Sequence, residues 1–190
     1  MTVSFVMLVA FSGVFSLGVV FSILGSVKLK LAEELKIDDA KVGTLISALM
    51  FSCLVAVLII GPLTDKFGFQ IIALVGFVLA GICVLMLAYA RSYGSAILAC
   101  LLLGIAAMCV NTVGNTLGLS VLFDGKDPAR ASNLLNVFFG LGAFLAPTII
   151  AMLLGSMGYK KTVSLIGILL FVPIIFALIA AFPKPDKGFV

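Results

Sequence analysis

The sequence predicts an all-α membrane protein, with six transmembrane helices in a single domain covering residues 1–190. Three observations predict it. Hydrophobic residues make up 63% of the chain, charged residues only 11%, and the mean hydropathy is +1.36. A soluble domain is about half apolar and a quarter charged, so most of this surface must face lipid. The apolar residues gather into six blocks, each near the ~20 residues that carry a helix across a ~30 Å hydrocarbon core. The blocks are apolar all round, whereas the strands of a closed barrel, the other structure able to span, alternate apolar with polar.

The first span is expected at Phe5–Ser26, preceded only by "MTVS". A secretory leader opens on a basic stretch and closes on a small-residue cleavage site; neither stands here, so this span is expected to remain. The following "KLKLAEELKIDDAK" sets Leu29, Leu31, Leu35 and Ile37 among alternating charges. That pattern predicts an amphipathic extension of the first helix at the membrane surface. The second span is placed at Val42–Leu63 and the third at Phe69–Ala90, joined through "GPLTDKFGFQ". The fourth is placed at Ser95–Phe123. In "DGKDPAR", Gly125 and Pro128 predict a turn and then a helix start with proline in its first turn. The fifth span, Leu134–Met157, and the sixth, Val163–Phe182, contain Pro147 and Pro173, each expected to kink its helix.

Cys53, Cys83, Cys100 and Cys109 all lie within apolar blocks and are read as small buried hydrophobes. The chain has no histidine. No cluster of His, Cys or acid at depth offers enzyme chemistry, so no enzyme, metal site or cofactor is expected. The net charge of +4 implies a bias toward anionic headgroups, and no nucleic-acid partner is expected.

Six spans put both termini on one side. If that side is cytoplasmic, the inner segments hold Lys66, Lys126, Arg130, Lys184 and Lys187. The outer ones hold Lys28, Lys30, Lys36, Lys41, Arg91, Lys160 and Lys161. Five against seven runs against the positive-inside rule, so charge alone leaves the orientation undecided.

The stretch "GPLTDKFG", residues 61–68, resembles the loop between helices two and three of the major facilitator superfamily. Gly61, Leu63, Asp65, Lys66 and Gly68 match that pattern, while Phe69 and Gln70 replace its following bases. "NTVGNTLGLSVLF" (111–123) and "LLNVFFGLGAFLAPTI" (134–149) are similar to helices four and five of the fucose–proton symporter branch and related sugar carriers. Members of that branch often have histidine where Asn136 stands. The superfamily usually has twelve helices, so the resemblance implies one six-helix half. It also implies cytoplasmic termini in a membrane of the bacterial inner type. The tail "FPKPDKGFV" resembles the start of a central cytoplasmic loop. Within the hinge, Gly61 is expected to allow close approach of a neighbouring backbone, and Gly68 to relieve the turn. The resemblance implies that the loop stabilises one gating state, with Asp65 and Lys66 in it and Arg130 the candidate partner of Asp65.

Polar residues at bilayer depth are costly unless they face protein or a water-filled cavity. Asn111 and Asn115, four apart, share a helix face with Thr112 and Thr116 beside them, while Asn133 and Asn136 open the fifth span. Carboxamides both donate and accept, which suits a solute rich in hydroxyls. Substrate-lining candidates are therefore Asn111, Asn115, Thr112, Asn136 and Asn133; the alternative is that these amides tie helices together. Phe138 and Phe139 are candidates for stacking on a sugar face or for core packing. No charged residue lies in the middle of a span, unlike the proton symporters of the branch, so proton coupling through this unit is not expected.

The expected function is transport of a small polar solute, of the sugar type, by alternating access. A second copy of the chain, or another six-helix half, supplies the rest of the site. The expected partners are thus the solute, the lipid bilayer and that second half. The alternative is a non-transporting membrane subunit that assembles with a partner protein.

Overall fold

The computed structural model describes residues 2–182. Lys184, Lys187 and all of the tail beyond Phe182 lie outside the described residues. Helix α1 spans Thr2–Leu35. At ~1.5 Å per residue it is about 51 Å long, more than a ~30 Å core needs, so its charged final turns extend beyond it as expected. Lys36, at φ 52°, ends the helix. Asp38 then caps α2, Asp39–Phe67, its Oδ1 accepting from the Lys41 N–H at 2.9 Å.

The hinge is shorter than expected. Helix α2 runs through Pro62 to Phe67, and α3, Phe69–Ala88, follows one residue later. Proline has no N–H to donate back along the helix, but it does not stop this one. The whole reversal falls on Gly68, at φ 84°, whose N–H donates to the Thr64 carbonyl at 2.8 Å. A side chain would strain there, so the expected role of Gly68 in the turn holds.

Helix α4, Tyr93–Val121, opens on a capping box in which Ser92 and Ser95 satisfy each other's backbone N–H. It closes in a short 3-10 turn, Leu122–Gly125, with Phe123, Asp124 and Gly125 all at positive φ. Asp127 caps α5, Pro128–Leu169, and Pro128 sits in its first turn as the sequence predicts. Helix α6 is Val172–Ile179, with Pro173 again in the first turn. The helical run breaks at Leu170–Phe171, just before Pro173, where the sequence places a kink in the sixth span, whereas Pro147 stands within continuous helix.

Among the described residues five helices, not six, are long and apolar enough to cross a membrane. The fifth is a single run of 52 residues, Pro128–Ile179, where the sequence reading placed spans at 134–157 and 163–182. The small and basic residues between them predict a connection there. Instead one residue, Gly158 at φ 74° and ψ 176°, interrupts α5, and a turn at Leu170–Phe171 separates α5 from α6. The two arms on either side of it run in opposite directions. In the first, Phe138 stacks on Phe11 and Gly142 meets Phe15, parallel to α1. In the second, Tyr159 bonds Leu87, Gly167 meets Gly81 and Ala177 bonds Gln70, antiparallel to α3.

Small residues set the crossings. A Cβ on Gly18 would fall on the Phe139 carbonyl oxygen, and one on Gly142 on that of Phe15. At the α1–α4 crossing, a Cβ on Gly13 would lie 3.0 Å from the Val110 carbonyl oxygen. At α2–α4, Gly104 admits Leu49 and Ser52, and Ser52 donates its hydroxyl to the Leu101 carbonyl. Among lipid tails, apolar burial does not drive helices together, so such close van der Waals contact must. All four cysteines are free and buried in this interior, as expected.

Gly142→Val is expected to lower the midpoint of unfolding in mixed micelles, with a loss of about 1–3 kcal/mol from overpacking. Gly43 is exposed and a Cβ there meets nothing within 4 Å, so Gly43→Ala should leave the midpoint unchanged or raise it.

Candidate functional site

The amides of α4 meet side chains from α1 and α5 at a recess of about 230 Å³. Asn111, Asn115 and Met108 form its α4 wall, Asn136 and Phe139 its α5 wall, and Val14, Leu17 and Phe21 its α1 wall. The α4 wall follows from helical spacing, since residues four apart stand one above the other. The α5 wall follows from Gly18 and Gly142, which bring α1 and α5 into backbone contact between one and two turns beyond Asn136.

Within the recess, Asn115 Nδ2 donates to Asn111 Oδ1 at 2.7 Å and to the Asn111 backbone carbonyl at 3.2 Å. The pair thereby orients itself. Among the described residues, the two amide hydrogens of Asn111, the carbonyl of Asn115 and the whole carboxamide of Asn136 have no protein partner. These groups can donate to and accept from a neutral polar molecule. Phe21 and Phe139 meet edge to face beside them, ring centroids 6.3 Å apart. No charged side chain lines the recess.

Three of the five expected substrate-lining residues therefore come together. Thr112 and Asn133 do not line the recess, and Asn133 is exposed. Phe138 turns away, stacked on Phe11 at 4.3 Å. Sequence reasoning missed Phe21 and Met108. Nothing in their apolar blocks distinguishes them; only the crossing of α1 and α5 aims Phe21 at the amides.

The hinge residues fall apart as a group. Among the described residues, a Cβ on Gly61 would meet nothing within 4 Å, so none of them makes the expected close backbone approach. Asp65 is exposed, and among the described residues no ion pair joins it to Arg130. The Arg130 guanidinium instead lies over the Phe123 ring, 4.5 Å from its centroid, and the Lys66 ammonium lies 5.4 Å from that of Phe67. The tertiary contact at this end comes from Gln70, whose Nε2 donates to the Ala177 carbonyl at 3.1 Å. Ala177 is in the last turn of α6, where carbonyls lack helical donors, so Gln70 caps that end. No metal-holding group of three His, Cys, Asp or Glu occurs among the described residues.

The recess is thus polar, uncharged and set within a bundle of helices able to cross a membrane. The sequence matches the Major Facilitator Superfamily over residues 6–188, and the chain belongs to that family of membrane transporters. No curated protein matches the chain.

Gln70→Leu should cost about 0.5–1.5 kcal/mol of stability through the lost hydrogen bond, read as a lowered unfolding midpoint. Asp65→Asn, at a side chain with no partner here, should stay within about 0.5 kcal/mol of the parent.

Proposed function

We propose that this transporter moves a small neutral polar solute of the sugar type by alternating access. The observation that carries this reading is the recess itself: unpartnered carboxamides of Asn111, Asn115 and Asn136 beside the aromatic faces of Phe21 and Phe139. Amides read hydroxyls in both directions, and aromatic rings suit the apolar faces of a sugar. The similarity of residues 111–123 and 134–149 to the fucose–proton symporter branch supports the same substrate class. The amides do not titrate and no charge lines the recess, so the favoured mode is facilitated diffusion, or coupling supplied elsewhere.

The chain acts in this proposal as one half of the carrier, with six membrane crossings. The two opposed arms of the 128–179 run count as the fifth and sixth. A recess open on one side needs a facing half, and a parallel homodimer supplies it by two-fold symmetry. The exposed apolar faces of α2 and α5 support such a contact, with Leu58 75% and Phe144 72% accessible. The membrane is of the bacterial inner type with both termini cytoplasmic. There the hinge at Gly61, Asp65, Lys66 and Gly68, with Arg130, favours one gating state; the pairing of Asp65 with Arg130 belongs to a conformation other than the present one.

Uptake of radiolabelled sugars into proteoliposomes tests the reading together with the native mass of the complex. Asn115→Ala is expected to lower uptake about tenfold, the effect of losing one well-placed hydrogen bond, while the dimer mass persists. Loss of the dimer mass from a chain that shows no uptake to begin with would favour a non-transporting subunit instead.

A further inference from the structure

Two glycines near one end of the bundle serve no contact inside the chain. Gly25 in α1 and Gly155 in the first arm of α5 lie within helices, where glycine is a poor former. A Cβ at either would meet nothing within 4 Å, and neither has a positive φ. Neither close packing nor backbone shape accounts for them. Other glycines also lack neighbours; these two differ in standing on opposite walls of one groove, about 330 Å³ in volume.

The groove combines two chemistries. Leu29, 65% exposed, and Leu154 give it apolar walls, and Lys28 and Lys30 stand at its rim. Both lysines follow the last apolar turn of α1, at the level where hydrocarbon gives way to headgroups. The Lys30 ammonium is engaged by Glu33 at 2.7 Å, and nearby Glu34 is engaged by Lys160 at 3.6 Å. Among the described residues Lys28 has no carboxylate partner. This end of the bundle holds seven bases, from Lys28 to Lys161, against four acids, Glu33, Glu34, Asp38 and Asp39.

We propose that the groove binds one anionic phospholipid, with its phosphate against the Lys28 ammonium and an acyl chain in the channel that Gly25 and Gly155 leave open. A soluble phosphate would use the lysines and leave the apolar walls bare. A neutral lipid would fill the walls and leave an unpaired ammonium beside them. The anionic lipid answers both, since each lysine at a membrane surface adds to the attraction for negative headgroups.

The test is native mass spectrometry of the purified full chain, supplied with equal amounts of phosphatidylglycerol and phosphatidylcholine bearing the same acyl chains. One phosphatidylglycerol should be retained per chain, preferred by about fivefold for an unpaired lysine. Lys28→Gln should bring that preference close to parity. Gly155→Leu should fill the channel and release the bound lipid, with helicity and melting temperature kept. Should Gly155→Leu fail to fold, Lys28→Gln at its exposed site still decides. Equal retention of the two lipids by the parent chain would overturn the proposal, as would unchanged phosphatidylglycerol preference in Lys28→Gln. Displacement of the lipid by glycerol phosphate would move the site to a free anion and also overturn it. So would a Gly155→Leu chain that keeps its lipid but loses its dimer, because the groove would then seat a second copy.

Discussion

The crossing of α1 and the first arm of α5 at Gly18 and Gly142 is the contact on which the rest of this bundle depends. Each glycine faces a backbone carbonyl of the other helix, so any side chain at either would force the pair apart. In lipid there is no water to expel from between helices, and close contact of this kind has to supply cohesion. The same crossing shapes the candidate site. On one side it brings Asn136 and Phe139 opposite Asn111, Asn115 and Phe21. On the other, α1 and α5 part around an almost wholly apolar cleft closed by α6, about 360 Å³ in volume.

The polar groups fall into three populations. Most hydroxyls, including those of Ser12, Ser26, Thr64 and Thr162, donate to a carbonyl three or four residues earlier and remain private to their own helix. A few reach across: Ser52 to α4, Gln70 to α6, and Tyr159 to the end of α3 at 2.9 Å. Gln70 and Tyr159 clasp opposite ends of the antiparallel pair formed by α3 and the 159–179 segment, each capping a helix C-terminus. Among the described residues, the recess amides keep unpartnered donors and acceptors that face one shared recess. A polar group at bilayer depth without a protein partner needs water or a solute to complete it, which is why this group, and not the helix-bound hydroxyls, is the candidate site.

The reversals rest on single residues. Gly68 and Gly158 each turn the chain with one positive φ, and neither needs a loop. Reading "GPLTDKFGFQ" or the residues around Gly158 as connections overestimates their length, because prolines and charges dilute the apolar pattern without interrupting helical hydrogen bonding. Family resemblance identified the hinge positions. It did not foresee that Gln70, one of the two departures from the family pattern, would make the tertiary contact there.

The sequence by itself determined the solvent, the helical class, the helix start with Pro128 in its first turn, and the burial of the cysteines. These are consequences of composition and of spacing along a single helix, and both are local. It also singled out Asn111, Asn115 and Asn136, since carboxamides in apolar blocks are conspicuous wherever they occur. The tertiary structure alone decided that Phe21 joins them while Phe138, Thr112 and Asn133 do not. It alone showed that Arg130 lies over Phe123 rather than beside Asp65. Those outcomes turn on the angle and depth at which two helices cross. Glycines set that geometry by what they leave out, and the sequence does not say which neighbour will occupy the space.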